Sequence, residues 1–135
     1  MAHTKFPVEV LTPEGEVFNQ EVEMVSTRTT IGSIGILANH EPLLAMLEPT
    51  ELRLYKTESE IVRFAQAEGY IQVAGGHVMV LVEEAHPTSE LDQASLRERL
   101  DQAQRTLEEA GEDSERRRVA ERDKRRWETF LGLAS

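Results

Sequence analysis

The hydrophobic pattern of this chain changes at Pro87, and that change limits the fold more than any other feature of the sequence. Before Pro87, apolar residues alternate with other residues in short runs, which is typical of half-buried strands. The runs are Phe6-Val8-Val10, Val22-Met24, Leu52-Leu54, Val62-Phe64, Ile71-Val73 and Val78-Val80-Val82. After Pro87, apolar residues recur at the three- and four-residue spacings of a helix. The sequence predicts an α+β fold in sequence order, an N-terminal antiparallel β-sandwich (residues 1–87) followed by a C-terminal antiparallel two-helix hairpin (residues 88–135).

Short polar or glycine-rich segments separate the predicted strands, at Thr12–Gly15, Lys56–Ser59 and Gly75-Gly76. Glycine permits the positive φ that a tight hairpin needs. We interpret Gly32–Gly35 as a further turn, because it lacks the Lys-Ser/Thr pair of a phosphate-binding loop. The continuous apolar run Leu43–Leu47 fits either a fully buried strand or a short helical turn, and its period does not decide between them.

Capping residues and apolar stripes define the two helices. Thr88 and Ser89 are the candidate N-caps of the first helix, and Gly111–Ser114 closes it and caps the second. The stripe of the first helix comprises Leu96, Leu100, Ala103, Leu107 and Ala110, and that of the second comprises Val119, Ala120, Trp127, Phe130, Leu131 and Ala134. Packing the two stripes together forms the hairpin. Arg116 and Asp123 fall within the second stripe and make it imperfect.

The seam between the two stripes is thin, because the second helix offers only Val and Ala before Trp127. Burial contributes about 0.8 kcal/mol per CH2, so an alanine stabilises the seam far less than a leucine. We therefore hypothesise that the hairpin can open, which would extend its helices over roughly 50 Å. Arg118, Arg122 and Arg125 lie at i, i+4 and i+7 on the face away from the stripe, so packing leaves them free.

Charge is distributed unevenly along the chain. The formal net charge is -10, yet seven of the eleven residues from Arg116 to Arg126 are Arg or Lys. Such a cluster fits either a well-solvated helix face or a surface that meets an acidic partner. The overall acidic balance argues against nucleic-acid binding, which depends on Lys and Arg at the phosphates.

Several kinds of chemical site have no support in the sequence. The chain contains no cysteine, which excludes disulfides, thiolate metal sites and Cys nucleophiles. The four histidines, His3, His40, His77 and His86, show no ligand spacing, and we interpret His40 as a hydrogen-bonding loop residue. We predict no catalytic residue and no metal site. No apolar stretch approaches the roughly 20 residues of a membrane span, and we expect a cytoplasmic location.

Three stretches of the chain carry a resemblance to a known family. Gly32–Leu47 is similar to a segment G-x-x-G-I-x-P-x-H-x-P-L, with Ala38 where a proline is usual. Thr12–Gly15 with Val22–Val25 is similar to an opening hairpin, and Leu91-Asp92 stands where the family shows I/L-D-x-x-R-A. Together these stretches span about residues 5–135, and the chain resembles the epsilon subunits of F-type ATP synthases.

This resemblance implies a non-catalytic subunit of the central stalk that couples rotation and proton flow to ATP synthesis. The sandwich, residues 1–87, would bind the gamma subunit and the c-ring, with partner-contact candidates at Ser33, His40, Pro42 and Leu43. Ser33 stands where an acidic residue is frequent. The complex would hold the subunit peripherally at the cytoplasmic side of the cell inner membrane.

The resemblance also implies a regulatory hairpin over residues 88–135. In bacterial relatives it extends along gamma and inhibits ATP hydrolysis at the alpha and beta subunits, and here Arg118, Arg122 and Arg125 are the candidates for contact with acidic surface on beta. Some members bind ATP through I/L-D-x-x-R-A, but Ser95 and Leu96 replace the Arg and Ala of that motif. The expectation is therefore no cofactor, with Asp92, Arg97 and Arg125 as weak ATP candidates. A permanently folded, purely structural hairpin and an ATP-sensing hairpin remain alternatives.

Overall fold

The computed structural model describes residues 3–134, which divide into two compact units between Pro87 and Thr88. Within the described residues the first unit contains ten strands. They are β1 (Phe6–Thr12), β2 (Gly15–Val22), β3 (Met24–Thr29), β4 (Gly32–Ile36), β5 (Leu43–Leu47), β6 (Thr50–Tyr55), β7 (Ile61–Gln66), β8 (Gly69–Ala74), β9 (His77–Val82) and β10 (Ala85–Pro87). The second unit contains α1 (Gln93–Glu109) and α2 (Ser114–Leu133). The predicted fold class, strands followed by a helical pair, is confirmed.

The strands are hydrogen-bonded in the order β10-β7-β6-β3-β5-β8-β9-β1-β2, with β4 pairing β3. The antiparallel expectation fails at one described pairing, since β1 runs parallel to β9 with Val8 opposite Val78. Parallel neighbours require a long connection between them, and here it contains seven intervening strands. The alternating sequence pattern predicted β1 and β9 as strands, but it did not predict that they are neighbours in the sheet.

Alternation along the strands builds the sandwich core. Val8 and Val10 on β1 and Val78 and Val80 on β9 are at most 1% exposed, as expected for β-branched residues on the inner face of a sheet. Gln66 is a polar residue with no exposed surface, and its amide nitrogen donates to the carbonyls of Glu48 and Ala67 at 3.0 Å. Its amide oxygen accepts from the Thr27 hydroxyl at 2.6 Å. A buried amide with these partners avoids the cost of an unsatisfied polar group.

The connections between strands match some predictions and correct others. Gly75 and Gly76 have φ of 60° and 75°, as a tight hairpin turn requires. The prediction of a turn at Gly32–Gly35 is wrong, because these residues form most of β4 and the turn precedes them. The predicted run Val22-Met24 is interrupted at Glu23, where β2 ends and the N–H of Glu23 donates to the Tyr55 carbonyl at 2.7 Å.

The segment Leu43–Leu47 is a strand rather than a helical turn, but it is not fully buried. Leu43 and Ala45 pack against the sandwich core, whereas Leu44 and Met46 on the opposite face are exposed. Continuous apolar sequence is typical of strands covered on both faces. β5 has such a continuous apolar sequence, but the described residues cover only one of its faces.

Side-chain caps set the ends of the two helices. An oxygen of Asp92 accepts from the N–H of Ala94 at 3.0 Å, so the predicted caps Thr88 and Ser89 are wrong. Those two residues belong to a short 3₁₀ turn before the helix. Asp113 caps α2 by accepting from the N–H of Arg116 at 3.1 Å.

The hairpin is antiparallel, because the side chain of Gln93 at the start of α1 donates to the Ala134 carbonyl beyond the end of α2 at 2.8 Å. The predicted stripes face the seam: Leu96, Ala103 and Ala110 of α1 and Ala120, Trp127 and Phe130 of α2 are buried. One expectation about α2 is wrong, because Arg116 is exposed rather than part of the seam. Arg126, for which the sequence made no prediction, is buried.

Candidate functional site

An exposed apolar surface covers part of the outer face of the sandwich. Leu44 and Met46 on β5, Tyr70 on β8 and Leu81 on β9 are 70%, 56%, 50% and 42% exposed. The register places Met46 opposite Tyr70 and Tyr70 opposite Leu81. Leu81 lies beside Leu11 of β1. We call the row Met46–Tyr70–Leu81–Leu11, together with Leu44 and Met79 of the adjacent row, the outer strip.

The outer strip is unusual for an antiparallel sheet, whose solvent-facing residues are ordinarily polar. A contiguous exposed apolar surface marks a binding site more often than scattered single side chains do. A depression of about 310 Å³ lies beside it, lined in part by Leu11, Tyr70 and Leu81. The arrangement can bury apolar surface of a partner.

Sequence reasoning missed the outer strip, although a signal for it was present. Leu43–Leu47 and Val78–Val82 are apolar at consecutive positions, so both faces of β5 and β9 had to be apolar. The prediction assigned Leu43 as a partner contact, but Leu43 packs against the core. Its neighbour Leu44 is the exposed residue.

The turn between β3 and β4 presents a further exposed apolar residue. Ile31 is 97% exposed. The Thr29 hydroxyl holds the turn by donating to the Gly32 carbonyl at 2.9 Å and accepting from the N–H of Ile31 at 3.3 Å. The predicted contact Ser33 is exposed on β4, two residues beyond. The structure therefore brings Ser33 and Ile31 to the same hairpin.

The other predicted sandwich contacts, His40 and Pro42, lie in the loop that connects β4 to β5. Ring nitrogen Nδ1 of His40 is 2.6 Å from the Glu41 carbonyl oxygen, so it donates within its own loop. That geometry agrees with the interpretation of His40 as a hydrogen-bonding loop residue. Pro42 is exposed.

The arginine face of α2 is already partly paired. Arg118 donates two hydrogen bonds to the Glu115 carboxylate, from Nη2 at 2.6 Å and from Nε at 3.3 Å. Arg122 donates from Nη2 to the Asp123 carboxylate at 3.0 Å. Packing of the hairpin leaves the Arg118 side chain 65% exposed, but its guanidinium is paired within α2. Arg122 is 40% exposed and is also paired within α2, and Arg125 is exposed. The hydrogen bond from Arg118, and then its charge, lowers the pKa of the Glu115 carboxyl. The same contact raises the pKa of Arg118.

Trp127 joins the two helices through cation–π contacts that the sequence pattern did not predict. The guanidinium of Arg99 on α1 lies 5.0 Å from the centre of the indole ring. The guanidinium of Arg126 lies 5.4 Å from it, and the Phe130 ring meets it edge-on at 5.8 Å between centroids. We call this set the tryptophan clamp. Cation–π contacts contribute about 0.5–2 kcal/mol, which adds to a seam otherwise rich in alanine.

The three ATP candidates are divided between the two helices of the hairpin. Asp92 caps α1 through its carboxylate, while Arg97 is exposed on α1 and Arg125 on α2. Among residues 3–134, no set of three or more His, Asp or Glu side chains is arranged to hold a metal ion. Neither described helix combines the length and apolar character of a membrane span.

Comparison with known proteins identifies related chains. Residues 5–88 match the family model described as ATP synthase, Delta/Epsilon chain, beta-sandwich domain. The ATP synthase epsilon chain of Persephonella marina is 44% identical over 96% of this chain and 96% of its own length. That of a Sulfurihydrogenibium species is 33% identical over 96% of this chain and 97% of its own.

Two solved structures share the fold. A chain in the mitochondrial ATP synthase of Euglena gracilis, solved with OSCP, F1 and the c-ring, superposes with a TM-score of 0.80 at 21% identity and covers 97% of this chain and 82% of its own. A chain in the central stalk and c-ring of the Tetrahymena thermophila mitochondrial enzyme gives a TM-score of 0.62 at 16% identity, over the full length of both chains. At sequence identities of 21% and 16%, these two structures show a shared fold and nothing about function.

Proposed function

The chain belongs to the family of ATP synthase epsilon chains, and from this premise we propose that it serves as a non-catalytic subunit of the central stalk. Its sandwich docks on the gamma subunit and the c-ring, so that rotation driven by proton flow is coupled to ATP synthesis. The subunit lies peripherally at the cytoplasmic side of the inner membrane, held there by the complex.

The outer strip is the observation that carries the docking role. A sheet face with four large apolar side chains between 42% and 70% exposed suits a permanent partner better than solvent. Burying a fully exposed large apolar side chain contributes about 1.5–3 kcal/mol, and covering the exposed part of one of these contributes a corresponding fraction of it. The exposed β3–β4 turn, with Ile31 and Ser33, offers a separate contact for the c-ring.

A matched pair of substitutions tests the docking role. Leu81→Ser lies in the outer strip, and Leu37→Ser changes a residue of nearly equal exposure, 43% against 42%, outside it. We expect Leu81→Ser to weaken rebinding of the full chain to ATP synthase stripped of this subunit by at least about 10-fold. Leu37→Ser should rebind as the native chain does. Equal binding by both variants would falsify docking through the strip.

We further propose that the hairpin restrains ATP hydrolysis through the basic surface of α2. The exposed side chain of Arg125 supports this role directly, whereas Arg118 must exchange its contact with Glu115 for a partner carboxylate. Deleting residues 88–135 should raise the ATPase rate of the assembled complex. Arg125→Glu should raise it partly, while the same change at exposed Arg105 of α1 should not. An unchanged rate after the deletion would favour the purely structural hairpin.

An ATP-sensing hairpin is the alternative function. Asp92 keeps its motif position, but its carboxylate caps α1. A bidentate arginine partner for the triphosphate is absent at Ser95. Titration calorimetry of the full chain with ATP separates the alternatives. We expect no saturable heat, and a saturable response lost on Arg97→Ala or Arg125→Ala would establish sensing.

A further inference from the structure

The outer strip has the dimensions of a single helix. Its four strands, β5, β8, β9 and β1, are adjacent in the sheet. At 4.7–4.9 Å between strands, the row Met46–Tyr70–Leu81–Leu11 is about 14 Å long. The second row, Leu44–Gln72–Met79, lies two residues along each strand, about 6.6 Å away. The surface is therefore an elongated band that runs across the strands.

The spacing within this band favours a helix over another sheet. One turn of α-helix rises 5.4 Å, close to the distance between strands. A helix lying across the strands thus presents about one apolar side chain to each strand, and two to three turns cover the band. The helix with its side chains is about 10–12 Å wide, which is enough to cover both rows.

The charge at one end of the band restricts the occupant further. Residues 6–22 contain four glutamates and no Lys or Arg. Beyond Leu11, the next position in the same row is Glu16 of β2, and the second row continues to Glu9 and Asn19. Glu21 lies in the row after that, opposite Pro7. Along the two rows the side chains thus change from uncharged on β5, β8 and β9 and at Leu11 of β1 to acidic at Glu9 of β1 and Glu16 of β2.

We infer that the outer strip receives an amphipathic helix from another subunit, with two to three apolar turns across β5, β8, β9 and β1 and Arg or Lys in the turn over β2. This inference rests on the proposed docking role and specifies its partner segment. The acidic end fixes the direction of the helix, because the reverse orientation leaves the glutamates opposite apolar side chains. The net charge of the sandwich, negative overall, opposes an anionic lipid surface as the occupant.

Site-directed photocrosslinking identifies the occupant. The chain has no cysteine, so Gln72→Cys provides a single attachment site for a benzophenone maleimide. Gln72 is an exposed polar residue between Leu44 and Met79, so labelling it leaves the apolar side chains of the strip in place. Crosslinking is done in assembled ATP synthase and mapped by mass spectrometry. A helical segment with apolar residues three and four apart and a basic adjoining turn supports the inference. Crosslinks to a strand, a loop, a second copy of this chain or lipid overturn it.

Charge reversal tests the direction of the helix independently of the docking role. Glu16→Lys with Glu21→Lys should weaken rebinding to the stripped complex about 3- to 10-fold at about 50 mM salt, and less than about 2-fold at 500 mM salt. The control, Glu58→Lys with Glu60→Lys, makes the same charge change at exposed residues of the β6–β7 connection, outside the strip, and should rebind normally. Unweakened binding, or equal weakening by the control, overturns the basic flank. The loss caused by Leu81→Ser persists at both salt concentrations, so it reports on docking alone.

Discussion

At the scale of single residues, Gly69 shows how little room separates β8 from β9. A Cβ at this position would lie 1.9 Å from the Leu81 carbonyl oxygen and 2.7 Å from Cα of Val82. Both obstacles are backbone atoms, so no side-chain rotation relieves the clash. Glycine is required there for space, since its φ is not in the left-handed region. The same strand pair carries Tyr70 and Leu81 of the outer strip.

We predict that Gly69→Ala lowers the free energy of unfolding by about 1–3 kcal/mol or more, because β8 and β9 must separate. Gly35→Ala is the control: Gly35 also lies in a strand, and the nearest atom to its Cβ is a Met24 sulfur at 4.0 Å. That substitution should leave stability unchanged or raise it by up to about 1 kcal/mol. Urea unfolding followed by circular dichroism compares them, and equal stability of the two variants contradicts the spatial explanation.

At the scale of elements, α2 begins with a side-chain network. Asp113 caps the helix, and Glu115 in the first turn pairs with Arg118 one turn later. A carboxylate near a helix N-terminus is also favoured by the helix dipole. The pair is solvent-exposed, so it contributes little to the free energy of unfolding. The titration of the Glu115 carboxyl is therefore the better test of the contact.

The contact between Glu115 and Arg118 predicts a lowered pKa for the Glu115 carboxyl. Because Arg118 favours the charged carboxylate, the folded-state pKa of Glu115 lies below the unfolded-state pKa. The stabilisation is therefore present above the unfolded-state pKa and is lost as pH falls through the folded-state pKa. A carbon-detected NMR titration should give a lowered Glu115 pKa that returns to the ordinary range on Arg118→Gln. Arg105→Gln should leave it unchanged, and an ordinary pKa in the native chain would refute the pairing.

The tryptophan clamp predicts a spectroscopic change in the hairpin. Arg99→Ala removes the guanidinium that α1 contributes to the Trp127 ring, which costs about 0.5–2 kcal/mol. Because the chain has one tryptophan, its fluorescence reports this site alone. We expect a red-shifted emission and stronger quenching by acrylamide. Arg97→Ala, an exposed position on the same helix, should show neither change, and identical spectra for both variants would argue against the clamp.

The sequence predicted those elements whose signal is local. Alternating valines identified the strands, and three- and four-residue spacing identified both helices. The side of Leu43–Leu47 that lies exposed could not be predicted, because an apolar run has no period to orient it. Arg126 is buried and its guanidinium lies over the adjacent Trp127 ring, a contact that residue type alone does not indicate. The position of β1 beside β9 depends on distant strands, and local pattern carries no information about them.

At the scale of the whole molecule, the hydrophobic core of the sandwich belongs entirely to the first unit. Every residue of that core cluster lies between Phe6 and Ala85, and the two compact units divide after Pro87. A chain that ends at Pro87 keeps all described strands. The helices therefore contribute no residue to this core cluster.

We predict that a fragment of residues 1–87 folds without the hairpin. It should retain dispersed amide NMR signals and a single cooperative thermal transition. The matched control is the fragment carrying Leu54→Ala, which removes a fully buried core side chain and should cost about 2–5 kcal/mol. Collapsed amide signals in the unsubstituted fragment would mean that the first unit is not independent.

The parallel pairing of β1 with β9 also delays the burial of β1 during synthesis. Val8 can pair with Val78 only after about 70 more residues have been translated, which takes roughly 4–14 s at 5–20 residues per second. Until then β1 has only β2 as its partner, and an isolated two-stranded hairpin is marginal in water. The first strand to leave the ribosome is thus among the last to be covered. Its valines are the part of the nascent chain that a ribosome-associated chaperone meets first.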